Sequence, residues 1–278
     1  MGPPGEVNWP GISPDGKTVA VYRTDPQTGT SDVWLYDVLR GSSYRLTSHP
    51  RGLSIFPLWS PDSAYVGYSS DWQDPSRLYR KAASGAGGEE VLFESQPPIM
   101  RADDWSRDGR NLIGETGNAA GLGNLWVLPL SGDRKQYQFL HSEFREMQAR
   151  ISPDSRWVAY VTNRTGRNEV YVTSFPIAGA QTQISTSGGS LPVWSQDGKE
   201  LFYLGADRRL MAVAVKAGSP FEAGIAKPLF DVRFSASTAN TSRFDVAKDG
   251  RFLIPVEPQA TAPQAMIAVI NWTAGLKR

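Results

Sequence analysis

Apolar and polar positions along this chain follow a cycle that returns six times. Each cycle has a large apolar residue, then Ser-Pro-Asp-Gly or a variant of it, then an apolar run. The copies are ISPDGKTVAVY from Ile12, WSPDSAYVGY from Trp59, WSRDGRNLIG from Trp105, ISPDSRWVAY from Ile151, WSQDGKELFY from Trp194 and VAKDGRFLIP from Val246. Their aspartates, Asp15, Asp62, Asp108, Asp154, Asp197 and Asp249, stand 43 to 52 residues apart, a period that marks a repeat architecture. Four and six residues after each Asp come Val19 and Val21, Val66 and Tyr68, Leu112 and Gly114, Val158 and Tyr160, Leu201 and Tyr203, and Leu253 and Pro255. Mostly apolar residues at a step of two predict one face of a β-strand. The column between them (Ala20, Gly67, Ile113, Ala159, Phe202, Ile254) is apolar as well, so these strands are expected to be buried on both faces.

The polar link between the apolar segments is a turn. Pro14, Pro61 and Pro153 preset φ for a tight turn, the Asp can accept from nearby amides, and Gly16, Gly109, Gly198 and Gly250 suit a left-handed position. Six copies in six turns assign these aspartates a structural role. A third strand follows in each repeat (DVWLYDV from Asp32, RLYRKA from Arg77, NLWVLPL from Asn124, EVYVTSF from Glu169, RLMAVAV from Arg209, MIAVINW from Met266). A weaker fourth follows in SYRLT, EEVLF and QYQFL. Four antiparallel strands per repeat are the unit of a β-propeller blade. The prediction is therefore an all-β, six-bladed propeller forming one domain over 1–278, with blades at about 7–47, 53–95, 99–141, 147–186, 190–234 and 241–273. The sixth repeat has no room for its outer strand, so the blade is expected to be incomplete or closed by the N-terminal segment. The missing strand would come from upstream residues of a longer protein. Pro255 points to irregular pairing there.

Composition narrows the function classes. The formal net charge of +1 creates no global field for nucleic acid or an anionic membrane surface. The chain has no cysteine, which excludes disulfides, thiolate metal sites and cysteine nucleophiles. No apolar run reaches bilayer length, and MGPPGEVNWP has neither the basic nor the apolar region of a signal peptide. Neither nucleic-acid binding nor direct membrane insertion is expected of it.

The phrase seen in WPGISPDGK, FPLWSPDS and LPVWSQDGK resembles the repeat of the TolB-type, WD40-like propellers of bacteria, over essentially the whole chain. RTDPQTGTSDVWLYDVLRG and the ending INWTAGLKR further resemble the C-terminal propellers of bacterial serine/threonine kinases. That resemblance implies an extracytoplasmic module (periplasmic or on the cell-surface side) of a larger signalling or envelope protein, which binds partners and performs no phosphoryl chemistry. A protein or peptide partner is the first expectation, and a small ligand the second.

In a propeller, the loops between second and third strands share one rim with the links between blades, and variable binding residues belong there. Asp71, Trp72 and Asp74 on one such loop form a candidate aromatic anchor between carboxylates. Arg145, beside Phe144 and Glu146 on a link, is a second candidate, for which a solvated charged loop is the first explanation. Four residues before each turn Asp the column reads Gly11, Leu58, Asp104, Arg150, Val193 and Asp245. Charges there need partners, so an Asp104–Arg150 ion pair is predicted. The alternative is a polar channel site including Arg101, Asp103 and Asp245. Catalysis finds little support. The two histidines, His49 and His141, lie two repeats apart, no GxSxG elbow occurs, and no metal-ligand spacing or Ca²⁺ loop motif is present. A cofactor-free, non-enzymatic binding module is expected. The alternative is a carbohydrate-active or lactone-hydrolysing enzyme using channel-mouth carboxylates.

Overall fold

The structure, a computed structural model, describes residues 6–49, 52–70, 77–94, 101–116, 123–140, 142–232, 243–256 and 266–271. The described elements are all β-strands, and they form antiparallel sheets in chain order. The first sheet is β1 (Glu6–Ile12), β2 (Thr18–Thr24), β3 (Ser31–Asp37) and β4 (Ser43–Arg45). The second is β5 (Ser54–Trp59), β6 (Tyr65–Ser70), β7 (Arg77–Ala82) and β8 (Glu90–Phe93). The third is β9 (Arg101–Trp105), β10 (Asn111–Thr116), β11 (Asn124–Pro129) and β12 (Tyr137–Gln138). The fourth is β13 (Glu146–Ile151), β14 (Trp157–Thr162), β15 (Glu169–Ser174) and β16 (Thr182–Gln183). In the fifth, β17 (Gly189–Trp194), β18 (Glu200–Gly205) and β19 (Arg209–Lys216) are followed by β20 (Glu222–Ala223) and β21 (Lys227–Asp231), both paired with β19. The sixth has β22 (Asp245–Val246), β23 (Arg251–Val256) and β24 (Met266–Asn271). Five sheets thus hold the expected four strands or more, and the sixth holds three among the described residues. Pro255 pairs with Ile267 of β24, while two-residue β22 reaches only Leu253 and Phe252, so the imide lies where pairing on that side has ended.

The chain divides into two compact units, residues 1–98 with 233–278, and residues 99–232. Within each unit, double-faced burial has a direct cause. In the first, Val19 and Val21 of β2 pack with Leu253 of the sixth sheet, while Ala20 between them packs with Trp59, Val66 and Tyr68 of the second. In the second unit, Val158 and Tyr160 of β14 face Ile113, Leu125 and Val127, while Ala159 and Val161 face Trp194, Leu201 and Val213. Alternate side chains of one strand therefore enter the cores on either side of its sheet.

The turn residues behave as their chemistry requires. Asp15, Asp62, Asp108, Asp154 and Asp197 each accept the hydroxyl of the Ser two residues back at 2.5–2.8 Å. Each of these, and Asp249, also accepts the amide two residues on, at 2.9–3.2 Å. The Ser60 hydroxyl and Ala64 amide hold the Asp62 carboxyl below the usual carboxylate range. The glycine position has φ of 70–78°, and Ser63 (62°) and Ser155 (56°) adopt the same conformation in the two repeats that lack the glycine.

A second left-handed position carries no glycine signature. Trp9, Phe56, Gln148 and Leu191, six residues before their turn aspartates, have φ of 54–56°, each inside a register shift of the inner strand. These bulges re-aim a large side chain. Trp9 meets Phe56 edge-on at 5.1 Å, and Arg243 lies over the Trp9 ring at 5.2 Å.

Candidate functional site

The charged column of the inner strands forms a set of staples between neighbouring sheets. Asp245 accepts its own chain's next amide, Val246, at 2.9 Å, and with its other oxygen accepts the amide of Ile12 on β1 at 2.8 Å. Asp104 does the same with Trp105 at 3.0 Å and with Ile151 on β13 at 2.9 Å. After Gly11 and Arg150, where the following sheet carries Trp in place of Ile, the direction of donation is reversed. The Trp59 indole donates to the Gly11 carbonyl at 3.0 Å, and the Trp194 indole donates to the Arg150 carbonyl at 2.9 Å. An Asp in one repeat thus goes with an Ile in the next, and a Gly or Arg goes with a Trp. The expected Asp104–Arg150 ion pair is present at 3.6 Å. Asp245 belongs to the other unit and makes its bonds there.

Beside Asp104, the third sheet gathers a buried charge cluster. Arg101 Nε donates to Asp103 at 2.7 Å, and the same guanidinium pairs with Glu115 of β10. Asp103 is the extra residue of a bulge in β9, and its other oxygen accepts the Ala149 amide at 3.2 Å. Burial pushes the Glu115 carboxyl up to about 7, and the nearby Asp103 carboxylate adds to the rise while Arg101 and Arg145 oppose it. Arg145 is exposed, and its amide donates to Asn163 Oδ1 at 2.9 Å. Glu115 went unmarked in the sequence, although its column otherwise reads Tyr22, Ser69, Val161, Leu204 and Val256, and a carboxylate there stands out.

The rim loops and blade links do meet. The Ser31 amide donates to the Gly52 carbonyl at 3.4 Å, and the Gly189 amide to the Asn168 carbonyl at 2.9 Å. On this rim the first sheet holds a pocket of about 280 Å³ lined by residues of β2, β3, β4 and the loop at 25–30, among them Arg23, Asp25, Asp32, Trp34 and Arg45. Asp32 accepts from Arg45 Nη2 at 2.5 Å and from the Thr47 hydroxyl at 3.0 Å. The Thr47 hydroxyl in turn accepts the Val33 amide, a relay that pins the start of the blade link. The fourth sheet repeats the relay with Glu169, Ser185 and the Val170 amide. Asp71, Trp72, Asp74 and His141 lie outside the described residues. His49 Nε2 lies 3.0 Å from Glu89. Among the described residues no three His, Asp or Glu side chains gather as metal ligands would, and no helix is long and apolar enough to cross a membrane.

No family model matches the chain. The crystal structure of TolB from Acinetobacter baumannii superposes on 91% of this chain and 58% of its own, with a TM-score of 0.66 and 16% identity. The chain has the fold of the TolB-type β-propellers. An oligogalacturonate lyase solved in complex with manganese superposes on 98% of this chain and 76% of its own (TM-score 0.62, 14% identity). In sequence, the chain is 30% identical over 112 residues to the uncharacterized peptidase YuxL of Bacillus subtilis, which is 38% of this chain and 17% of the peptidase. The chain thus spans about a sixth of that relative and rather more than half of the Acinetobacter TolB. A lyase thus stands beside TolB among the solved proteins that share this fold.

Proposed function

We propose that this chain is a non-catalytic recognition module, a six-bladed propeller that binds a protein, peptide or small ligand on its loop rim. In this reading it serves a larger extracytoplasmic signalling or envelope protein. The carrying observation is the use made of the inner-strand carboxylates. Asp104 and Asp245 each spend one oxygen on the next amide of their own strand and the other on an amide of a neighbouring sheet, a scaffold role that leaves the rim for recognition. The proposed contacts are the loop with Asp71, Trp72 and Asp74, the link with Arg145, and the pocket loop at 25–30. Arg101, Asp103 and Arg150 brace this rim from beneath through their ion pairs.

The test is selection of binders from a displayed random peptide library, followed by photo-crosslinking of the best binder. Crosslinks to the loops at 25–30 or 71–76, or to the link holding Arg145, support the reading; crosslinks confined to the SPDG-turn rim refute it. An enzymatic reading draws on one observation, the Glu115 carboxyl held near 7, where a general acid or base works well. Turnover of an oligogalacturonide, lactone or peptide that Glu115→Gln abolishes, with folding unchanged, would replace the binding reading.

A further inference from the structure

Arg23 is out of place in its own repeat. Eight residues after the turn Asp, four of the other five repeats hold small side chains, Ser70, Thr116, Thr162 and Gly205, and the sixth has Glu257, which lies outside the described residues. Arg23 puts a long cation there, and the residue is only 7% exposed. A buried guanidinium ordinarily has a carboxylate partner, since an unpaired charge away from water is costly. Arg23 has none within ion-pair distance among the described residues. Its contacts are one hydrogen bond, Nη1 to the Tyr36 hydroxyl at 3.1 Å, and the Trp34 ring, 5.2 Å from the guanidinium carbon. Of the five N–H donors of a guanidinium, the described residues use one.

The pocket that Arg23 lines contains two carboxylates, and both are committed elsewhere. Asp32 is held by Arg45 and Thr47. Asp25 is exposed and accepts the Gln27 amide at 2.8 Å and the Thr28 amide at 3.4 Å, closing its own turn. Arg45 is the other cation at the mouth, with 42% of its side chain exposed. A volume of about 280 Å³ corresponds to roughly nine waters at ~30 Å³ each, room for a side chain rather than a lone ion. Trp34 supplies a partly buried ring surface against which an aliphatic stem can lie.

We infer that the first-sheet pocket is a carboxylate-recognition site, in which Arg23 takes the acidic side chain of a peptide ligand in a two-pronged ion pair while Trp34 packs on its stem. The inference rests on the rim-binding reading above and names the chemistry of one of its sites. The planar fork of Arg23 matches a carboxylate bidentately, and its burial beside the Trp34 ring strengthens the pair.

The test is isothermal titration calorimetry of the whole chain with acetyl-(Glu)₄-amide, acetyl-(Gln)₄-amide and D-galacturonate. The Glu peptide is expected to bind, the Gln peptide to bind at least tenfold more weakly, and affinity to fall with added salt. Arg23→Gln should weaken the Glu peptide at least tenfold. Arg23→Lys, which keeps the charge and so serves should the Gln variant fail to fold, should weaken it several-fold. Equal binding of the two peptides, undiminished binding by the Arg23 variants, or no binding of the Glu peptide overturns the site. Binding of galacturonate in place of the peptide overturns the peptide source. In each of those cases, crosslinks of a selected peptide to the other rim loops would leave the broader recognition reading standing.

Discussion

Replacing Asp245 by Ala measures how much one inter-sheet staple contributes. The carboxylate is 9% exposed and accepts two amides, that of Ile12 at 2.8 Å and that of Val246 at 2.9 Å. A hydrogen bond to a charged group contributes about 1.5–3 kcal/mol, and a buried amide left alone costs about 1–3 kcal/mol. Asp245→Ala should therefore destabilise by about 3–5 kcal/mol. Asp245→Asn keeps one carbonyl oxygen and can serve one amide, for a loss of about 1–2 kcal/mol. Asp104→Ala should lie in the range of Asp245→Ala, because its two amide bonds have the same geometry at 3.0 and 2.9 Å. Urea unfolding followed by far-ultraviolet circular dichroism reads the shift in midpoint, with the slope checked for constancy. A cost below about 1 kcal/mol for Asp245→Ala, or an Asn variant as damaged as the Ala variant, would refute the staple as the source of stability.

Three further outcomes follow from the same geometry. Ser155→Gly should stabilise by about 0.5–1 kcal/mol in thermal or urea melts, since it relieves a left-handed serine whose hydroxyl has no partner. Ser63→Gly should gain less, because the Ser63 hydroxyl accepts the Asp15 amide at 3.1 Å. Trp194→Phe and Trp59→Phe should each cost about 1–3 kcal/mol by orphaning a carbonyl, and Trp105→Phe less, as its indole lies 3.5 Å from the Gly109 carbonyl. The raised Glu115 carboxyl binds its proton more tightly in the folded state. Its contribution is full below its ordinary 4.5 and is lost as pH rises through about 7. Urea midpoints should fall between pH 5 and pH 8 for the wild type and much less for Glu115→Gln. Equal pH slopes would remove Glu115 as the source.

Much of the fold was legible because the repeat states it several times. A proline, an aspartate and a glycine at fixed spacing define a turn through contacts within a few residues, so the sequence carries it without tertiary help. The apolar columns at +4, +5 and +6 likewise announced strands buried on both faces, and Val158 to Val161 enter two cores in alternation. The bulges at Trp9, Phe56, Gln148 and Leu191 were invisible, because packing enforces their positive φ on residues with no local preference for it. Of the candidate site, the Asp104–Arg150 pair was foreseen from opposite charges in one column of adjacent repeats. The partners that occupy those carboxylates are backbone amides, which no side-chain pattern reveals.

The sequence by itself determined the repeat, its turns, its strand order and the structural role of the six turn aspartates, since each depends on residues close in the chain. The tertiary structure alone decided which charges are satisfied. It tied Asp104 and Asp245 to neighbouring strands, brought Glu115 to Arg101, and left Arg23 buried against Trp34 with no carboxylate partner among the described residues. Satisfaction of a buried charge depends on what lies across a sheet or in the next repeat, tens of residues away in sequence and a few ångströms away in space.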